Sequence, residues 1–258
     1  MAQPVLSSSQ MNVSLYQAAA AMNASSRWQD AIADNLVASS TPGARKVNVS
    51  FAAVQAALTP GPNGLKSPSH AIPAMITSAS FQQGPLRPTN LPTDLAVDGP
   101  GFLEVQMANG SHAFTRDGEL QFNAQGQLVT KQGLLVLGDG GPIQMDPSNP
   151  APLSVSPTGQ VSQGSSAKGH IKLVEFNQPG LLMPVGGGCY MANNPQVQSS
   201  PAQSSTVRQG FLETSSSTPT VEMASLINAM RSFEANQKVM QMQDDRMGRV
   251  ITDLGSPS

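Results

Sequence analysis

The chain has 258 residues, enough for one large or two small domains with a buried core. Only 12% are charged, about half the roughly 25% usual in soluble domains, and 14 Lys+Arg against 16 Asp+Glu leave a net charge of -2, so no basic patch for nucleic acid is implied. Cys189 is the single cysteine, which excludes an intrachain disulfide and a thiolate metal cluster.

Met1 to Gln10 carries neither the basic start nor the apolar run of a cleaved secretory signal, and no stretch reaches the ~18 apolar residues needed to span a bilayer. The expectation is a protein that is cytoplasmic or exported without cleavage. Ser14-Leu15-Tyr16-Gln17 then fits a capping box, in which the Ser hydroxyl and Gln amide satisfy backbone groups at a helix start. Steps of four and three residues lead from Met11 through Leu15, Ala18, Met22, Ser25, Gln29 and Ile32 to Leu36, an apolar seam along one helix face. Ser39-Ser40-Thr41-Pro42-Gly43 stops that helix. Residues 1–58 are therefore read as an N-terminal extension and helix, and 59–90, rich in Pro, Gly and Ser, as an extended linker.

From about residue 91 the period changes. Leu103, Val105 and Met107 alternate with Glu104 and Gln106, the period of a half-buried strand. Asn109-Gly110 favours the type I′ turn of a tight hairpin, and Asp117-Gly118 repeats the signal. Short segments follow at 127–130, 134–137, 143–145, 153–155, 161–163 and 171–176, separated by turn residues, which predicts an antiparallel sheet or small barrel over 91–208.

In 209–258, Thr218 can cap a helix and Pro219 suits its first position. A strict three-four alternation then runs Met223, Leu226, Met230, Phe233, Gln237, Met240, Asp244, Met247, Ile251, Leu254, which is coiled-coil-like over about 54 Å of helix. Glu234 with Lys238 and Asp245 with Arg249 mark the solvated face. The fold class expected is α+β: long terminal helices forming a coiled-coil-like pair, with a central antiparallel β-rich domain.

The chemistry of an enzyme is sparse. His70, His112 and His170 are far apart without partners at metal-ligand spacing, so neither metal nor cofactor is expected. Ser165-Ser166-Ala167-Lys168 matches the Ser-x-x-Lys of some hydrolases, but without their companion motifs, leaving a β-rich extracellular hydrolase only as a weak alternative. Gly138-Asp139-Gly140-Gly141 and Gly186-Gly187-Gly188 join no strand to a helix, which a phosphate loop requires.

Four ordered motifs carry a resemblance. Ala33-Asp34-Asn35-Leu36-Val37-Ala38 is followed by Thr41-Pro42-Gly43-Ala44-Arg45; Leu95-Ala96-Val97-Asp98-Gly99-Pro100-Gly101-Phe102 by Phe114-Thr115-Arg116-Asp117-Gly118; then come Gly126 to Thr130 and Gln209-Gly210-Phe211-Leu212-Glu213-Thr214-Ser215. In this order they resemble the bacterial flagellar rod and hook family of axial basal-body proteins. Ala44 stands where that family has an aromatic, and Ser216-Ser217 where it has Asn-Val. The resemblance implies a non-enzymatic subunit, exported through the flagellar export apparatus and packed helically in the periplasmic rod. Its partners would be other rod proteins and copies of itself, with no nucleic acid and no small-molecule substrate. Within the family, the length and the run Leu137-Gly138-Asp139-Gly140-Gly141-Pro142-Ile143 look most like the proximal rod, with the distal rod as runner-up and a hook-type axial role as a further alternative. The assembly interface it implies would use Leu15, Met22, Ile32, Asn35 and Leu36 from the first helix. From the last it would use Leu226, Met230, Phe233, Met240, Met247 and Ile251.

Overall fold

In the computed structural model the described residues are 8–56 and 70–255. The chain divides into two compact units, one of residues 1–34, 47–78 and 220–258, the other of residues 35–46 and 79–219.

The first unit holds the two long helices, α1 (Ser8–Ala38) up to its last turn and α2 (Pro219–Gly255), with the paired strands β1 (Val47–Ala56) and β2 (His70–Ala79). Helix α1 begins six residues before the capping box that marked its expected start. Helix α2 begins at Pro219, where a ring with fixed φ and no N–H costs nothing, because the first-turn amides have no intrahelical acceptor. The strand β2 occupies sequence that reads as linker.

The coiled-coil-like helix pair is not what the structure shows. On α2 the inward positions are Glu222, Leu226, Ala229, Phe233, Asn236, Met240, Gln243 and Met247. They share Leu226, Phe233, Met240 and Met247 with the expected seam, but every other position is shifted by one residue onto a polar or small side chain. Met223 and Met230 of the expected seam lie outward, 49% and 50% exposed. Where α1 meets α2 the contacts include polar ones: Gln29 Nε2 donates to Ala229 O at 3.5 Å and Asn236 Nδ2 to Ser25 Oγ at 3.2 Å. A knobs-into-holes seam needs apolar side chains at both alternating positions, and α2 supplies one of the two.

The second unit is the β domain. Its main sheet is ordered β15 (Met183–Gly186), β16 (Cys189–Met191), β6 (His112–Thr115), β5 (Phe102–Gln106), β9 (Leu135–Gly138), β8 (Leu128–Thr130) and β7 (Leu120–Phe122). Further antiparallel pairs join β4 (Leu95–Asp98) to β18 (Thr206–Gln209) and β3 (Leu86–Pro88) to β19 (Phe211–Glu213). A three-stranded sheet of β11 (Leu153–Val155), β12 (Gln160–Gln163) and β13 (Ser166–His170) completes the fold with β14 (Leu173–Phe176), β17 (Ser199–Pro201) and the short β10 (Gly141–Pro142).

Strand β5 organises the domain. One edge pairs with β6; the other is shared between β14, opposite Phe102 and Leu103, and β9, opposite Val105 and Gln106. Leu103 and Val105 point into an aliphatic core with Leu95, Val97, Leu128, Val136, Val161 and Ile171. Phe102 points the other way, into a cluster of Phe114, Phe176, Tyr190 and Leu182, where edge-to-face rings lie 4.8 Å apart for Phe114 and Phe176 and 5.6 Å for Phe102 and Phe176. Glu104 is therefore buried, not solvent-facing. It is held by Lys172 Nζ at 2.8 Å and by His112 Nδ1.

The two Asx-Gly turns also differ from expectation. A type I′ turn needs positive φ at both central residues, yet only Gly110 has it, at 81°, and Met107 N donates to Ser111 O, as in a longer loop with one left-handed glycine. Gly118 has no positive φ. It is glycine because a Cβ there would stand 1.5 Å from Leu95 O, where the backbones of β4 and the turn touch.

Candidate assembly interface

The residues named for the interface divide by direction. Ile32 and Asn35 are 2% and 3% exposed, while Met22, Leu36, Leu226, Phe233, Met240 and Met247 are half-buried. Met230 faces out, and the side chains of Leu15 and Ile251 lie outside the described residues. The inner face of the helices is thus occupied within the chain itself. The outer face of α2 carries a feature the expected seam did not isolate. Met223, Ile227 and Met230 follow at steps of four and three, 49%, 53% and 50% exposed, so three large apolar side chains stand in one row over two turns. Isolated exposed apolar side chains are ordinary; a contiguous row on one helix face is the form an interaction surface takes.

Within the β domain, three of the four recognised motifs converge on one buried ionic junction. The carboxylate of Glu213, on β19, receives Arg45 Nη1 at 2.5 Å, Arg116 Nη1 at 3.3 Å and the backbone N–H of Gly84 at 2.7 Å. Arg45 Nη1 also donates to Gln82 O at 2.6 Å, and Arg116 Nη2 to Gly99 O at 2.6 Å. The Arg116 guanidinium lies 4.8 Å from the centre of the Phe102 ring, whose face favours a cation. Burial, and then the neighbouring Arg45 charge, lower the Arg116 pKa to about 10, a value at which the guanidinium remains charged at neutral pH. Arg45 Nε and Nη2 and Arg116 Nε are buried without an acceptor, so the Glu213 carboxylate carries most of the compensation for two enclosed cations, and its removal leaves both exposed to the full desolvation cost.

The backbone around the junction explains the spacing of the motifs. Gly43, at φ 66°, donates to Glu213 O at 2.8 Å, and a Cβ on it would stand 2.3 Å from Arg116 O. Ser216 N donates to Ala44 O at 3.1 Å and Lys46 N to Ser216 Oγ at 2.8 Å. Ala44 is fully enclosed, so the position that carries an aromatic in the family is here a small buried residue. Residues 43–46 and 213–216 accordingly run together as a short ladder. Sequence reasoning singled out Gly43, Arg45, Arg116 and Glu213 as motif residues without joining them, since the pairing of Arg45 with Glu213 spans 168 positions.

Ser165 lies in an exposed turn and Lys168 on β13, the edge of the small sheet, and among the described residues no group of three metal-binding side chains occurs.

Comparison with known proteins agrees with the motif order. Residues 96–163 match the family described as flagellar hook protein FlgE/F/G D1 domain, and residues 208–253 the one described as flagellar basal body rod FlgEFG protein C-terminal. The flagellar basal-body rod protein FlgF of Caulobacter vibrioides is 33% identical over 230 residues, 89% of this chain and 92% of its own. FlgF of Mesorhizobium japonicum is 32% identical over 96% of this chain and 100% of its own, and FlgG of Borreliella burgdorferi 29% identical over 91% and 96%.

Proposed function

Since the chain belongs to the flagellar basal-body rod protein family and is a structural rod subunit of it, we propose that it assembles helically through its terminal helices and transmits torque along the rod. The observation that carries this reading is the outward row Met223, Ile227 and Met230 on α2, which a neighbouring rod subunit would cover. The inward residues Ile32, Asn35, Leu226 and Phe233 would hold the helices in the form that presents the row. A heterologous contact of this kind, one patch against a different patch on the next copy, generates an open helical array instead of a closed ring.

The position along the axis that fits best is the proximal rod, because two relatives named FlgF combine 32–33% identity with coverage of 92–100% of their length, whereas the FlgG relative at 32% is covered over 70%. The distal rod is the second reading, favoured by matches to FlgG at 29% over 96% of its length and at 32% over 70%. Delivery by the flagellar export apparatus into the periplasmic rod, without a catalytic role, completes the proposal.

The test is replacement of Met230 by Asp. The monomer should lose little stability, within about 0.5 kcal/mol, as is usual for an exposed site. Incorporation into purified basal bodies, followed by immunolabelling, should be abolished, and swimming with it. Normal incorporation of Met230→Asp would remove the helix row from the interface, and absence of the unaltered protein from basal bodies would end the rod reading altogether.

A further inference from the structure

The short ladder between residues 43–46 and 213–216 already joins the two chain segments through backbone groups: Gly43 N to Glu213 O, and Ser216 N to Ala44 O. These bonds do not use the Glu213 carboxylate. One segment follows the end of α1 and the other leads into α2. The side chain of Glu213 reaches away from the ladder to two other places, the amide of Gly84 and the guanidinium of Arg116, while its second cation, Arg45, reaches on to Gln82 O. Arg116 in turn grips Gly99 O and the Phe102 ring at the start of the central strand β5. A network built only to hold the ladder would need none of these.

We infer that Glu213 is a positioning residue for assembly: its carboxylate locks the paired segments that follow α1 and precede α2 onto the β domain. The points from which both helices leave that domain are thereby fixed. Arg45 Nη1 bridges the carboxylate and Gln82 O, and Arg116 spans the carboxylate through Nη1 and Gly99 O through Nη2, so charge-assisted bonds tie the two segments to several points of the β domain. The inference rests on the rod-subunit reading for its consequence, but its local effect can be measured without it.

The experiment compares the full-length protein with Glu213→Gln, which keeps the shape and loses the charge. In hydrogen exchange, the amides of Gly43 and Gly84 should exchange about tenfold faster or more, as loss of a charge-assisted contact to a local segment predicts. The amides of Val105 and Val136 in the central strands should be unchanged. In cells, incorporation of Glu213→Gln into basal bodies should fall by a similar factor at matched protein level. A uniform rise that includes Val105 and Val136 would make Glu213 a general stability residue and overturn the inference. Unchanged exchange at Gly43 and Gly84, or normal incorporation, would overturn it equally. If Glu213→Gln does not fold, Arg45→Lys decides by the same readings, since it keeps the charge and loses the Nη1 group that bridges Glu213 and Gln82 O: selective loosening supports the inference and uniform loosening sinks it. Absence of the unaltered protein from basal bodies would instead count against the rod reading, leaving exchange as the arbiter of the local claim.

Discussion

Replacing Gly118 by Ala tests whether this glycine is present for space, as its surroundings require, or for turn geometry, as its sequence suggests. The added Cβ would stand 1.5 Å from Leu95 O and 2.7 Å from Leu95 C, both backbone atoms, so no side-chain rotation relieves the clash. Either the turn or β4 must move, and β4 carries Leu95, Ala96 and Val97, all fully buried. The hydrogen bond from Leu95 N to Gly118 O, 3.0 Å long, lies at the same contact. Its loss costs about 1 kcal/mol and displacement of packed core about 1–3, giving roughly 2–4 kcal/mol in total. The matched control is Gly110→Ala, where φ is 81° but nothing lies within 4 Å of the added Cβ. There only the left-handed backbone is strained, and the cost is about 1 kcal/mol. Urea unfolding of the full chain, followed by far-UV circular dichroism, should place the midpoint of Gly118→Ala well below that of Gly110→Ala, by on the order of 1 M. Equal midpoints would refute the steric account and return Gly118 to the status of an ordinary turn residue.

Asp117 is enclosed beside that glycine, and burial is the largest influence on its carboxyl, raising its pKa, with the Glu119 N–H partly offsetting it. A raised folded-state pKa contributes stability that is full below the ordinary aspartate value and is lost as pH rises through the raised value. Asp117→Asn should therefore be at least as stable as the unaltered chain at pH 7, with the difference narrowing as the pH falls toward about 3.9 in a series of urea midpoints. Cys189 is buried and its thiol is pushed up by that burial, so a thiol reagent should label the native chain slowly and the urea-unfolded chain fast; rapid native labelling would contradict the packing shown. Gly248 lies inside α2 with open space around it, so Gly248→Ala should stabilise the helix by about 1 kcal/mol, read as increased helicity.

Legibility in the sequence followed the range of the interactions concerned. Helix α2 could be bounded at Pro219 because capping and the missing proline N–H are local, and the strand at 153–155 was framed by its own turns. Half of the α2 seam was identifiable, at Leu226, Phe233, Met240 and Met247, because hydrophobicity marks those positions whichever neighbour they face. The other half falls on Met223, Met230, Gln237 and Asp244, one residue from the inward Glu222, Ala229, Asn236 and Gln243, because the strict three-four step is anchored on the methionines. Only the packing of α2 reveals that the polar and small residues lie inward. The burial of Glu104 was hidden for a related reason. Alternation tells which residues share a face, and whether that face is covered depends on what packs over β5, including the aromatic cluster around Phe102 and Phe176. The strand β2 is not legible because it lies inside the stretch 59–90, whose Pro, Gly and Ser content reads as a linker, and its partner β1 precedes it across residues 57–69. The motif residues of the candidate site could be listed individually, but the carboxylate that unites them could not be deduced from any one segment.

The junction at Glu213 bears on how such a sequence can change over time. Gly43, Arg45, Gly99, Arg116 and Glu213 form one physical contact although the chain visits it at widely separated points. Between those visits the strands and loops can lengthen, shorten or exchange their residues without disturbing it, provided that each returns the chain to the same place. Loss of Glu213 strands two cations in the interior, and a side chain at Gly43 would collide with Arg116 O, so members are expected to vary jointly, in compensating sets, while the intervening segments drift independently. In a family tree of such chains, the junction would behave as a single inherited character written in several distant fragments.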